Sequence, residues 1–150
     1  MLIQMKVEGL LFDPRSGMYI LLLQQIDANR TLPIWIGKPE ADAIALALGK
    51  VMTPRPLTHD LIKNVFDGMN IPVKRIVITE IVDNTYFALI QAGDGKTEVS
   101  IDSRPSDAVA VALRVQAPIF VEESVLEVRR GDELEEWLKN LRPEDFGSIM

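Results

Sequence analysis

The stretch 71–102, IPVKRIVITEIVDNTYFALIQAGDGKTEVSID, decides how the chain must fold. It holds three runs, PVKRIVITEIV, TYFALIQ and KTEVSID, the first two dense in β-branched and aromatic residues. The pieces between them, DN and GDG, are turn formers that accept the left-handed backbone of tight hairpins. Strands joined this closely can only lie antiparallel, so the stretch predicts a three-stranded meander.

On the C-terminal side, RPSDAVAVAL (104–113) reads as a helix running to about Gln116. Proline suits a first helical turn, and Asp107 offsets the positive end of the helix dipole. APIFV (117–121) reads as a short strand, and GDELEEWLKNLRP (131–143) as a further helix. There Asp132 and Glu135 form a capping box, while Leu134, Trp137, Leu138 and Leu141 share one face.

On the N-terminal side, residues 2–12 alternate moderately and DPRSG (13–17) is a turn. MYILLLQQI (18–26) is apolar on both faces and so belongs inside a sheet, and LPIWIG (32–37) reads as a third strand. KPEADAIALALGKV (38–51) predicts a helix with close-packing alanines. LTHDLIKNVFDGM (57–69) predicts another, with Leu61, Ile62, Val65, Phe66 and Met69 facing the core. Runs of strands with helices inserted between them indicate an α+β fold: one domain, a mainly antiparallel or mixed sheet and about four helices. Residues 1–128 form the body, and 129–150 add an amphipathic helix and short tail packed on it.

A chain of 150 residues can bury a core without disulfides or metals, and it contains no cysteine. Thiolate catalysis and cysteine-based zinc sites are thereby excluded, and no organic cofactor motif is present. Lys6 and Glu8 interrupt the apolar segment that a signal peptide would need, and no apolar run approaches the roughly 20 residues of a membrane span. The expected location is cytoplasmic, without membrane contact. A net charge of −6 argues against tight non-specific binding of nucleic acid, though a local basic cleft remains compatible with it.

Three helices open alike: KPEADAIALAL at Lys38, RPLTHDLIKNV at Arg55 and RPSDAVAVAL at Arg104. Each has a basic residue, a proline, a nearby carboxylate and then an apolar run. Proline forces the preceding residue out of the α region, so each basic side chain leaves from extended backbone. It can then tie the helix to a neighbour, or, with the free N–H groups of the helix start, hold an anion or phosphate. Both readings stand on sequence alone.

His59 is the sole histidine, which excludes paired-histidine ribonuclease chemistry but leaves one proton-transfer group. Asp102 and Asp107 flank Arg104 and, with Glu40 or Asp60, could gather hard oxygens for Mg or Mn. Equally, Asp107 could serve the helix dipole and Asp102 could pair with Arg104. Trp35, Trp137 and the pairs Lys74-Arg75 and Arg129-Arg130 read as ordinary core or surface residues, and GDGK as a hairpin turn.

Three segments, LPIWIGKPEADAIALAL, TPRPLTHDL and IDSRPSDAVAVALRVQAPIFV, resemble in order and spacing the signature blocks of the bifunctional nuclease domain family. The resemblance runs from about residue 2 to 128. It implies hydrolysis of phosphodiester bonds in RNA or DNA. The polar positions within the blocks then supply the candidates: His59, Asp60, Asp102 and Asp107 for catalysis, and Arg55, Arg104, Ser106 and Arg114 for phosphate. Asp107, Asp102 and Glu40 would hold a Mg or Mn ion. Competing expectations are a non-enzymatic homo-oligomeric assembly module, most simply a dimer, and a small-anion binding protein.

Overall fold

A computed structural model describes residues 1–128 of the chain. The expected helix at 131–143, Trp137, Arg129-Arg130 and the rest of the 129–150 segment lie outside the described residues.

The chain opens with β1 (Leu2–Asp13), β2 (Met18–Gln25) and β3 (Thr31–Ile36), then α1 (Lys38–Leu48) and α2 (Thr58–Gly68). The expected meander follows as β4 (Val73–Val82), β5 (Thr85–Gly93) and β6 (Glu98–Ser103). After it come α3 (Pro105–Val115), β7 (Ile119–Glu122) and a short helix, α4 (Glu123–Val128), which the sequence pattern does not announce. No helix among the described residues is long and apolar enough to cross a membrane.

All seven strands form one sheet in the order β3-β2-β1-β7-β4-β5-β6. It consists of two antiparallel meanders, β1-β2-β3 and β4-β5-β6, joined through β7. β7 runs antiparallel to β1 and parallel to β4, which makes the sheet mixed. A parallel partner needs a crossover, and α3 supplies it by packing over β4 and β5 on the way from β6 to β7. The hairpin between β4 and β5 turns through Asp83 and Asn84, both at positive φ (51° and 62°), the left-handed pair of a two-residue turn.

α3 is the central helix, with Ala108, Val109, Ala110, Val111 and Ala112 all buried. α1 packs beside it through Ala41, Ala43 and Ile44. Short side chains on both surfaces let the two helix axes approach closely.

The second helix departs from expectation. Of its apolar residues, Phe66 is buried and Ile62 partly so, whereas Leu61, Val65 and Met69 are 57%, 51% and 64% exposed. Among the described residues α2 packs mainly against α3, and only a narrow line of its apolar face is covered there.

Candidate functional site

The two meanders leave the sheet in the same way. β3 passes through Gly37 into Lys38-Pro39-Glu40 of α1, and β6 passes into Arg104, the residue that caps α3, followed by Pro105. Because Pro105 keeps Arg104 extended (φ −69°, ψ 146°), its side chain departs from the helix start rather than along it. Arg104 Nε donates to Asp107 Oδ2 at 2.8 Å, and Nη1 forms an ion pair with Glu40 Oε1 at 2.8 Å. The guanidinium thus joins the starts of α3 and α1.

Glu40 reaches it by folding back over Gly37. A Cβ on Gly37 would stand 3.0 Å from Glu40 Oε2, so the absence of a side chain there leaves room for the carboxylate. The other oxygen of Asp107 meets His59: Nε2 and Oδ1 lie 2.8 Å apart. His59 is 8% exposed, held in the first turn of α2 against α3. Four side chains from three helices therefore form one line, Glu40–Arg104–Asp107–His59.

The electrostatics of this line follow from its contacts. Burial pushes the Asp107 carboxyl up, but the hydrogen bonds and charges of Arg104 and His59 outweigh it and hold the group below its ordinary value. Asp107 in turn, by hydrogen bond and charge, raises Arg104 further above its already high value, with Glu40 adding to the effect.

The line borders a cleft of about 1310 Å³ between α1, α2, β6 and the start of α3. Glu40, Asp42, His59, Asp102, Arg104 and Asp107 form its polar side. Leu57, Leu61, Val65, Phe66 and Ile101 form much of its apolar wall. The apolar wall was not anticipated as part of a site, because the α2 stripe that announces it reads as core.

The remaining candidates go elsewhere. Arg114, expected at the phosphate, is turned inward with its side chain 8% exposed. Its Nε donates to Asp60 Oδ1 (2.7 Å), Nη1 to the Ala110 carbonyl (2.9 Å) and Nη2 to the Ala43 carbonyl (3.1 Å). It ties α1, α2 and α3 together and does not line the cleft. Asp60 is correspondingly spent. Its other oxygen accepts the Leu57 N–H, and that bond, with Arg114, holds its carboxyl below the usual value. Leu57 stands at the α2 cap position.

Ser106 is buried and does not line the cleft, and Arg55 is exposed and does not line it either. Asp102 lines the cleft but is not the partner of Arg104; Glu40 is. Lys38 turns back to Asp42 of its own helix at 2.8 Å. Of the three similar helix starts, one serves its own helix, one projects outward and one builds the site.

The donor set does not suit a Mg or Mn ion held by Glu40, Asp102 and Asp107. Such an ion needs several hard oxygens converging on one point. Glu40 and Asp107 do converge, but on the Arg104 guanidinium, and Asp60 is committed to Arg114. Among the described residues no three His, Cys, Asp or Glu side chains group closely enough to hold a metal.

Comparison with known proteins adds the following. Residues 21–133 match the model of the bifunctional nuclease domain. Over 95% of its length the chain is 36% identical to Uncharacterized protein Rv1829 of Mycobacterium tuberculosis, covering 97% of that protein. It is 30% identical to Bifunctional nuclease 1 of Oryza sativa subsp. indica over 68% of this chain. It is 32% identical to Bifunctional nuclease 2 of Arabidopsis thaliana over 73% of this chain. The matches span 32% and 34% of those two plant proteins.

Proposed function

Because the chain belongs to the bifunctional nuclease domain family, we propose that it hydrolyses phosphodiester bonds of RNA or DNA in this cleft. The observation that carries the reading is the line Glu40–Arg104–Asp107–His59 on the cleft wall.

An ionised Asp107 accepts a hydrogen bond from His59 Nε2–H, which leaves the lone pair of the neutral ring on Nδ1. That nitrogen takes a proton from a water whose oxygen attacks phosphorus. As the bond from phosphorus to the leaving oxygen breaks, the same proton passes to that oxygen. Arg104 spends Nε and one Nη1 position on Asp107 and Glu40, so its other N–H groups meet the phosphate oxygens as their charge grows. No step is routed through a divalent ion, because a guanidinium already fills the place between the two carboxylates.

The test is cleavage of single-stranded RNA and DNA by purified protein in Mg, in Mn and in EDTA, beside Asp107→Asn. Activity in all three conditions is expected, with a loss of about 10²- to 10⁴-fold in Asp107→Asn, the range of a misdirected proton-transfer group. Full activity in Asp107→Asn, or activity abolished by EDTA and restored by Mg, would contradict it.

A further inference from the structure

The cleft is poorly matched to a polyanion by its own residues alone. Its lining carries four carboxylates, Glu40, Asp42, Asp102 and Asp107, of which Glu40 and Asp107 share Arg104 and Asp42 meets Lys38, which leaves Asp102 outside these ion pairs and the lining acidic. Its rim is apolar and open. Leu57, Leu61, Val65 and Met69 follow one another every four residues along the outer side of α2. Across the cleft, Val99 and Ile101 lie on β6, the outermost strand of the sheet, at 40% and 41% exposure. They pair in register with Ala92 and Ile90, both buried, so they stand on the helix-covered face of the sheet.

The chain also carries a piece of complementary chemistry. Between α1 and α2, residues 50–55 (KVMTPR) hold two cations, Lys50 and Arg55, and two apolar side chains, Val51 and Met52, the last 91% exposed. Lys50, Val51, Met52 and Arg55 do not line their own cleft. The segment leaves α1 through Lys50 at positive φ (53°) and is turned by the Thr53 hydroxyl, which donates to the Arg55 carbonyl, so that Val51, Met52 and Arg55 all stand exposed. A basic and apolar segment of this kind complements an acidic and apolar groove lined by α2, and the same chain provides both.

We propose that two copies of this chain pair symmetrically, residues 50–55 of each lying over the α2–β6 cleft of the other, so that Arg55 of the partner subunit adds a second cation to the site. A two-fold arrangement makes the exchange reciprocal and closes the assembly at two. The added role at the cleft rests on the phosphodiesterase reading above, whereas the pairing itself does not.

Sedimentation equilibrium of the whole protein at micromolar concentration tests the pairing without reference to activity. The expected mass is twice the 16.8 kDa of the chain. Leu61→Asp and Val65→Asp, both on the exposed stripe, and Arg55→Asp should shift the equilibrium to single chains while circular dichroism stays unchanged. Combining Arg55→Asp with Asp102→Arg should restore the pair. A single-chain mass for the unsubstituted protein overturns the proposal, including the case in which that single chain instead binds a basic amphipathic peptide. So does a pair indifferent to both Leu61→Asp and Val65→Asp.

If the cleft cleaves phosphodiesters, mixing His59→Ala with Arg55→Ala chains restores one complete site per mixed pair. About a quarter of wild-type activity should return after random reassortment of a two-fold dimer. Failure of that recovery alone, with the dimer intact and wild-type activity present, overturns the shared site. Absence of activity in the wild type overturns the phosphodiesterase reading and leaves the mass measurement to decide the pairing.

Discussion

Among single residues, Arg104 and Arg114 show how far a side chain's job depends on partners distant in the chain. The pairing of Arg104 with Asp107 is legible, since the two stand three positions apart at a helix start. Its second partner, Glu40, belongs to another helix and became visible only once α1 and α3 were packed together. The family resemblance implies a phosphate role for Arg114 from its place in a signature block, but such a place does not report burial. Placed among α1, α2 and α3, it satisfies Asp60 and two carbonyls instead. Arg114→Ala is therefore expected to destabilise the fold by about 3 kcal/mol, the cost of leaving a paired charge and its acceptors without a partner. Urea unfolding measures it; a change below about 0.5 kcal/mol, typical of an exposed substitution, would show that the tie is unimportant.

Asp13 was read only as part of a turn, yet it is a buried acceptor for Trp35 Nε1–H, the Arg15 N–H and the Ser16 hydroxyl. Burial pushes its carboxyl up, and these three donors more than reverse that. Asp13→Ala should cost about 2 kcal/mol, because the Trp35 and backbone donors lose their acceptor. An unchanged unfolding midpoint would mean that water replaces Asp13 fully.

At the level of elements, strands and hairpins were the most legible because turn chemistry is local. Asp83-Asn84 and the glycines around Asp94 each impose a backbone that few other residues adopt. Gly93 sits at φ 136°, and a Cβ there would lie 2.0 Å from the Thr97 carbonyl oxygen. Gly93→Ala should thus cost about 3 kcal/mol, combining strain with the displaced β5–β6 connection. A Gly93→Ala protein with the wild-type melting temperature would place the connection differently. Helices were legible in extent but not always in orientation. The spacing of Leu61, Val65 and Met69 gives a helix without saying which neighbour covers it, and among the described residues α3 is the main element packed on α2 and leaves these three exposed.

Taken whole, the molecule is two strand meanders, each feeding a helix through a basic–proline start, arranged to either side of β7. The second meander and the separate strands of the first are readable in the sequence, but the insertion of β7 between β1 and β4 is not, since pairings this remote leave no local pattern. The site is a product of that closure, because Glu40 follows the first meander and Arg104 the second.

The same closure sets the response to acid. Asp13, Asp60 and Asp107 all have folded-state values below the ordinary one, so near and below pH 4 the unfolded chain binds more protons than the folded one. Their contribution is complete above the unfolded value and is lost as pH falls through the folded values. Urea unfolding between pH 5 and pH 2 should show a shallower decline for Asp107→Asn than for wild type. Parallel declines would mean that Asp107 ionises alike in both states.

In the proposed reaction His59, held by Asp107 in the cleft, moves the proton. Its most direct test is the single-turnover cleavage rate of an end-labelled single-stranded DNA, which lacks the 2′-hydroxyl and so requires an activated water. His59→Ala should slow that cleavage by about 10²- to 10⁴-fold while leaving the fold intact. Equal rates for wild type and His59→Ala would contradict the account.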